Sequence, residues 1–177
     1  MHVSSRTKTW VDSPSRQPVR VTAEATPLHR VDRPIARRTV WLAARFLGAF
    51  SLLAVGAVHL QQYEYLYSAI PTIGTLFVLN FVGATALGLG LLAPVERLLG
   101  RWGDAAVALL ALGGVGLAST AFVFLLVSER TPLFGFMEPG YDPPALMASR
   151  VAELVTVGLL GSFLVARFVR KSSLGRW

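Results

Sequence analysis

The side chains of this 177-residue chain that could do chemistry are few, and five stand out: His59, Asn80, Glu138, Arg150 and Glu153. Four of them lie inside long apolar runs, where an ionisable or amide side chain is costly and marks either a clasp between helices or a site. Glu153 is the deepest acid. Arg150 stands three residues before it on the same helical face and can pair with it. His59 can donate to it if the first and last apolar runs adjoin. Ser119 and Thr120 share this depth, and Arg45 lies about one and a half turns inside the first run, where a long cationic side chain can snorkel to the headgroups. Read as structure, the set is a polar clasp whose interhelical hydrogen bonds contribute about 0.6 kcal/mol each. Read as function, it is a proton relay or a small-ligand pocket.

Other chemistries are excluded or unsupported. The chain has no cysteine, which removes disulfides, thiol catalysis, iron–sulfur clusters and Cys-zinc sites. It has no G-x-x-x-x-G-K-[ST], G-x-S-x-G or H-E-x-x-H. One histidine with scattered carboxylates lacks the ligand spacing of a zinc or haem site, so neither a metal nor a catalytic residue is assigned.

The elements that must position these residues are read from composition. Hydrophobic residues make up 53% of the chain and charged residues 15%, against about 25% charged in a soluble domain. The apolar residues fall in four runs, about 40–60, 72–93, 105–127 and 148–169. Each has the ~20 residues that cross the hydrocarbon core, and backbone in lipid must satisfy its own hydrogen bonds, so each is a helix. The expected fold is an all-α integral membrane protein: an antiparallel four-helix transmembrane bundle over 39–170, a disordered basic tail over 1–38 and a short basic tail over 171–177. The connections 61–71, 94–104 and 128–147 are rich in Pro, Gly or Tyr. The longest holds Pro132, Pro139, Pro143 and Pro144 and is expected to be irregular. Arg37-Arg38 before an apolar run resembles part of a twin-arginine signal. The run exceeds a signal core of about 7–15 residues, which favours an uncleaved helix.

Charge sets the orientation. The segment 1–38 carries eight basic and three acidic residues, and Arg97, Arg101, Arg167, Arg170, Lys171 and Arg176 add to the same side, while Arg130 and Arg150 stand among Glu64, Glu129, Glu138 and Asp142 on the other. Positive charge marks the cytoplasmic side, so both termini are expected there, in a cell inner membrane, with the polar residues in the outer half. Trp41 and Trp102 fall at the inner boundary and Tyr63, Tyr65, Tyr67 and Tyr141 at the outer one. The net charge of +7 is then topology signal and contact with anionic lipid. Nucleic acid is not expected, since the tail has no fold motif and no aromatic interleaving beyond Trp10.

Small residues at i, i+4, such as Ala44/Gly48, Ala84/Gly88, Gly114/Ala118 and Gly158/Ser162, suit close helix packing within the bundle or in a homo-oligomer. Pro71-x-x-Gly74-x-Leu76 and Pro132-x-x-Gly135-x-Met137 share a spacing that would fit a parallel internal repeat. Phe134, Phe136, Met137 and Tyr141, with Glu138 among them, form an apolar segment able to lie in the interface or fold over the bundle as a lid.

The stretch AVGAVHLQQYEYLYSAIPTIGTLFVLN, the later LFGFMEPG and a fourth run carrying Glu153 resemble a group of small four-span bacterial membrane proteins of unknown function. Those proteins carry related H-L…Y…I-P-T-I-G-x-L-F-x-L-N and L-F-G-F-x-E patterns. The resemblance covers the chain from about Val40 onward and places weight on His59, Tyr63, Pro71, Gly74, Asn80, Phe134, Gly135 and Glu138. It implies a membrane protein and no particular activity. In architecture alone the layout is distantly similar to DoxX-like proteins, some linked to quinone-dependent or respiratory processes, which makes a quinone the cofactor to consider. The expected function is a non-enzymatic accessory protein or subunit of a membrane complex. The alternatives are a small proton-coupled transporter with His59, Asn80 and Glu153 along its path, and a DoxX-like quinone or redox accessory protein. The expected partners are the bilayer, a second copy or another membrane protein.

Overall fold

The structure is a computed structural model that describes residues 33–174, with side chains for 39–169. The chain forms α1 (Arg33–Tyr65), α2 (Pro71–Leu92), a single-turn α3 (Val95–Leu98), α4 (Gly103–Ser128) and α5 (Pro143–Leu174). Tyr67–Ala69 and Gly100–Trp102 are 3₁₀ turns. No strand occurs among the described residues, only an isolated bridge between Leu133 and Phe136. The four long helices are each long and apolar enough to cross a membrane.

Sequence explains most of the boundaries. Pro71 opens α2 at a position whose N–H has no helical partner in any case. Pro94 follows the end of α2 and cannot continue it. Pro143 and Pro144 stand in the first turn of α5, and Asp142 Oδ1 accepts from Ala145 N at 3.1 Å, a side-chain N-cap. That cap starts the helix at Pro143, inside the connection expected to be irregular. At the other ends, α1 takes in 33–38 and α5 runs on through 171–174, so the helices reach into both expected tails. Pro34 is compatible with a first turn, and Arg170 and Lys171 are favourable near a helix C-terminus. The rest of the expected tails, 1–32 and 175–177, lies outside the described residues.

Short connections make neighbours antiparallel, and the helices pack in a ring: α1 on α2, α2 on α4, α4 on α5, α5 on α1. The core sits in the half of the bundle nearest the termini of α1 and α5, where Leu52, Leu91, Val107, Leu160 and Phe163 are fully buried. Leu160 fits because Gly48 and Gly114 face it; a Cβ on Gly114 would stand 2.7 Å from Leu160 Cδ1 and 3.0 Å from Leu52 Cδ2. The outward faces are equally apolar, with Phe50, Leu79, Leu112 and Val165 exposed. Helices apolar inside and out are suited to lipid.

Two arginines brace the same half. Arg45 is 4% exposed and does not extend to the headgroups as a snorkelling side chain would. Its Nε donates to Leu91 O at 2.7 Å, its Nη2 to Ala93 O at 2.9 Å, and its Nη1 to Glu96. The last carbonyls of α2 have no helical donors, and a guanidinium has donors enough to serve them and a carboxylate together. Arg167 is equally buried and binds Asp104, at the backbone oxygen and at Oδ2, 3.1 Å away. The proposed repeat finds no structural counterpart. Pro71 and Gly74 lie in the first turn of α2, whereas Pro132 and Gly135 lie in a loop where Gly135 has φ +79°.

Candidate functional site

The opposite, distal end of the bundle carries the two other connections. After α1 the chain folds into the 3₁₀ turn and brings Tyr67 back over α2. The close approach needs Gly74, whose added Cβ would stand 2.8 Å from Tyr67 O. Tyr67 is therefore buried at 3% exposure and leaves the interfacial belt expected of it, while Tyr65 and Tyr141 remain exposed. Its ring stacks on Phe77, centroids 4.7 Å apart, and meets Phe136 edge-on at 5.6 Å. Its hydroxyl donates to Glu138 Oε2.

The connection between α4 and α5 is ordered by the same residues. Leu133 and Phe136 exchange backbone hydrogen bonds of 2.7 and 3.0 Å around Phe134 and Gly135, both with positive φ, the geometry of a type I′ turn. Glu138 N donates to Ser128 O at 2.8 Å, and Glu138 Oε1 accepts from Gly140 N at 2.9 Å. Leu133 and Phe136 turn inward, whereas Phe134 and Met137 are exposed. The segment thus both roofs the bundle and offers apolar side chains outward.

Beneath this roof lies a cavity of about 120 Å³. Each long helix contributes a stripe at helical spacing. From α2 come Ile73, Leu76, Phe77 and Asn80; from α4, Ala121, Phe124, Leu125 and Ser128. From α1 come His59 and Gln62, and from α5 Ser149 and Glu153. Four of the five expected site residues, His59, Asn80, Glu138 and Glu153, line this one space.

Their bonding differs from the expected clasp. Glu153 is 1% exposed; Ser149 Oγ donates to its Oε1 at 2.9 Å, and its Oε2 has no partner among the described residues. Asn80 Oδ1 is likewise buried without a partner. His59 Nδ1 is 2.9 Å from Val55 O. A carbonyl only accepts, so Nδ1 carries the hydrogen, and His59 does not donate to Glu153 even though α1 and α5 adjoin. Arg150 does not pair with Glu153 either. It binds Glu129, where both side chains are partly exposed, and partly exposed charges incur a smaller desolvation penalty than they would in the cavity. A clasp between α1 and α5 does exist, built from other residues. Ser51 Oγ donates to Ala152 O at 2.9 Å, and Thr156 Oγ1 donates to Ser51 Oγ at 3.0 Å.

Gln62, Tyr67, Ser128 and Ser149 also line the cavity and were not among the expected residues. Helical spacing is the signal that could have found three of them: Ser128 continues the α4 stripe of Ala121, Phe124 and Leu125, Gln62 stands three residues after His59 on α1, and Ser149 stands four before Glu153 on α5, whereas Tyr67 in its 3₁₀ turn has no such signal. Ser119 and Thr120 fall off that stripe and outside the lining. No Lys or Arg lines the cavity. Burial first, then the hydrogen bond donated to Glu138 and the charge of that carboxylate, push the Tyr67 phenol above its ordinary value and keep it a donor. No group of three His, Asp or Glu side chains gathers as a metal would require, among the described residues. Comparison of the chain with protein families, with known proteins and with solved structures finds no match.

Proposed function

We propose that the protein is a non-enzymatic accessory protein of the cell inner membrane that holds a small amphipathic molecule in the distal cavity. The observation that carries this reading is a pair of buried acceptors, Asn80 Oδ1 and Glu153 Oε2, lacking partners in one largely apolar space. A buried polar atom without a hydrogen bond costs about 1–3 kcal/mol, and a binding site is where such an atom gains its partner. The basic residues at the termini and central connection support cytoplasmic termini next to anionic lipid and, with them, a cavity that opens toward the outer side. A transporter needs a path from one side to the other. The fully buried Leu52, Val107, Leu160 and Phe163 between the cavity and the terminal end favour a one-sided pocket instead.

A subunit role is supported by a different observation. Added Cβ atoms on Gly158 and Gly161 of α5 would meet nothing within 4 Å, so this strip of the bundle is free for close approach by another membrane helix, from a second copy or another protein.

The test is retention. The protein is purified in lipid nanodiscs and its bound small molecules are identified by mass spectrometry, beside Ala121→Phe, which projects a ring into the cavity. Retention by the native chain and loss in the variant, at an unchanged or higher Tm, supports the reading. Equal retention by both, or none by either, overturns it.

A further inference from the structure

The lining residues also indicate the charge of the ligand. Two carboxylates border the cavity, and they are in different states of engagement. Glu138 receives the Tyr67 hydroxyl and the backbone N–H of Gly140. Glu153, more deeply buried, receives only Ser149 Oγ and has Oε2 without a partner. The nearest guanidinium on its own helix, that of Arg150, is held by Glu129 and does not line the cavity. The same cavity has an aromatic wall: His59 faces Phe77 at 5.1 Å, and Tyr67 packs on both Phe77 and Phe136. Aromatic faces attract cations, more strongly when water is excluded. A buried carboxylate is itself stabilised by a paired cation.

From these features we propose that the cavity binds a small lipophilic ammonium, its N–H groups on Glu153 Oε2 and Asn80 Oδ1 and its apolar body against Phe77 and Phe136. This rests on the reading of the cavity as a ligand site and names the chemical class of that ligand. In the neutral His59 ring, Nε2 is a third acceptor, since Nδ1 is engaged with Val55 O. The size sets an upper limit. A cavity of about 150 Å³ takes a benzene ring, so a volume of about 120 Å³ falls short of an aromatic amine and suits a short branched chain bearing one amine.

The test uses two probes of the same shape, isobutylamine and isobutanol, titrated calorimetrically against the full chain in nanodiscs of zwitterionic lipid, with protein-free nanodiscs as the blank. The expected result is that isobutylamine binds at least about tenfold more tightly than the alcohol, as befits a hydrogen bond to a charged group. Glu153→Gln, which keeps the shape, should remove that preference. Equal binding of amine and alcohol overturns the ammonium proposal and leaves the pocket standing. Binding of neither overturns both. If Glu153→Gln fails to fold, the comparison of the two probes on the native chain decides alone.

Discussion

The Tyr67 hydroxyl donates to Glu138 across 71 positions of sequence, and this bond ties the connection after α1 to the connection before α5. Tyr67 also stacks on Phe77 of α2 and meets Phe136 of the roof. One side chain thus joins both distal connections and a wall of the cavity, and it is the first place to test whether the roof is held as described.

Tyr67→Phe keeps the ring contacts and removes the donor. Glu138 retains the Gly140 N–H, so the loss is partial, about 1–2 kcal/mol. Thermal unfolding should show a lower Tm, and limited proteolysis should cut within 129–142 faster. An unchanged Tm with unchanged cleavage would show that the roof is secured by something other than this bond.

The same phenol predicts a pH dependence. Burial, and then Glu138, raise its folded-state pKa above the ordinary tyrosine value. A group shifted in this direction contributes stability that is fully present below the unfolded pKa, about 10, and is lost as pH rises above it. The Tm of the native chain should therefore fall above about pH 10 more steeply than that of Tyr67→Phe. Parallel alkaline limbs for the two proteins would refute the link. Tyr63, Tyr65 and Tyr141 are common to both and cancel in the comparison.

Four helices were legible because twenty-odd apolar residues leave no alternative to a helix in lipid. The rotation of each helix was not. Ile73, Leu76, Phe77 and Asn80 point into the cavity while Leu79 points out, yet in a segment apolar on all sides this difference leaves almost no contrast to read. The depth of His59, Asn80 and Glu153 along the chain was enough to place them at one level, and they do share one cavity. Arg150 shared that level too, but a long side chain can reach sideways, and it reached Glu129. Arg45 and Tyr67 were misread for one reason: both had hydrogen-bonding partners distant in sequence, the α2 carbonyls and Glu138, that spacing cannot reveal.

Arg45 gives a prediction of its own. Arg45→Met keeps the stem and removes the donors to Leu91 O, Ala93 O and Glu96. Hydrogen bonds from a charged group contribute about 1.5–3 kcal/mol each, and partial access of solvent to Glu96 lowers the sum, so a destabilisation on the order of 3 kcal/mol is expected. Arg45→Lys should recover less than half, because an ammonium cannot span the three acceptors as a planar fork does. Full recovery by lysine, read from denaturation in mild detergent, would reduce the clamp to a simple charge.

Two glycine substitutions should move in opposite directions. Gly114→Ala forces a Cβ against Leu160 and Leu52 at 2.7 and 3.0 Å, and overpacking of this kind costs about 1–3 kcal/mol. Gly161→Ala meets nothing within 4 Å and gains helix propensity, up to about 1 kcal/mol. The opposite signs of the two Tm shifts check the ring of helices, because only α5 packed on α4 and α1 places Leu160 against Gly114. If Gly161→Ala instead weakens the protein in nanodiscs while leaving it unharmed in dilute detergent, a neighbouring helix occupies that strip.

The last prediction concerns the bilayer. Leu98 lies in the central connection and Thr131 in the distal one, both exposed, at opposite ends of the bundle. Since the native chain has no cysteine, Leu98→Cys and Thr131→Cys each supply a unique thiol. A membrane-impermeant maleimide added to intact cells with a permeable outer envelope should label Thr131→Cys and reach Leu98→Cys only after the inner membrane is opened. The basic residues flanking Leu98, Arg97 and Arg101, and the acidic Glu129 beside Thr131 set that direction. The reverse pattern would invert the protein and turn the cavity toward the cytoplasm. Labelling of both from one side would mean that the helices between them do not cross.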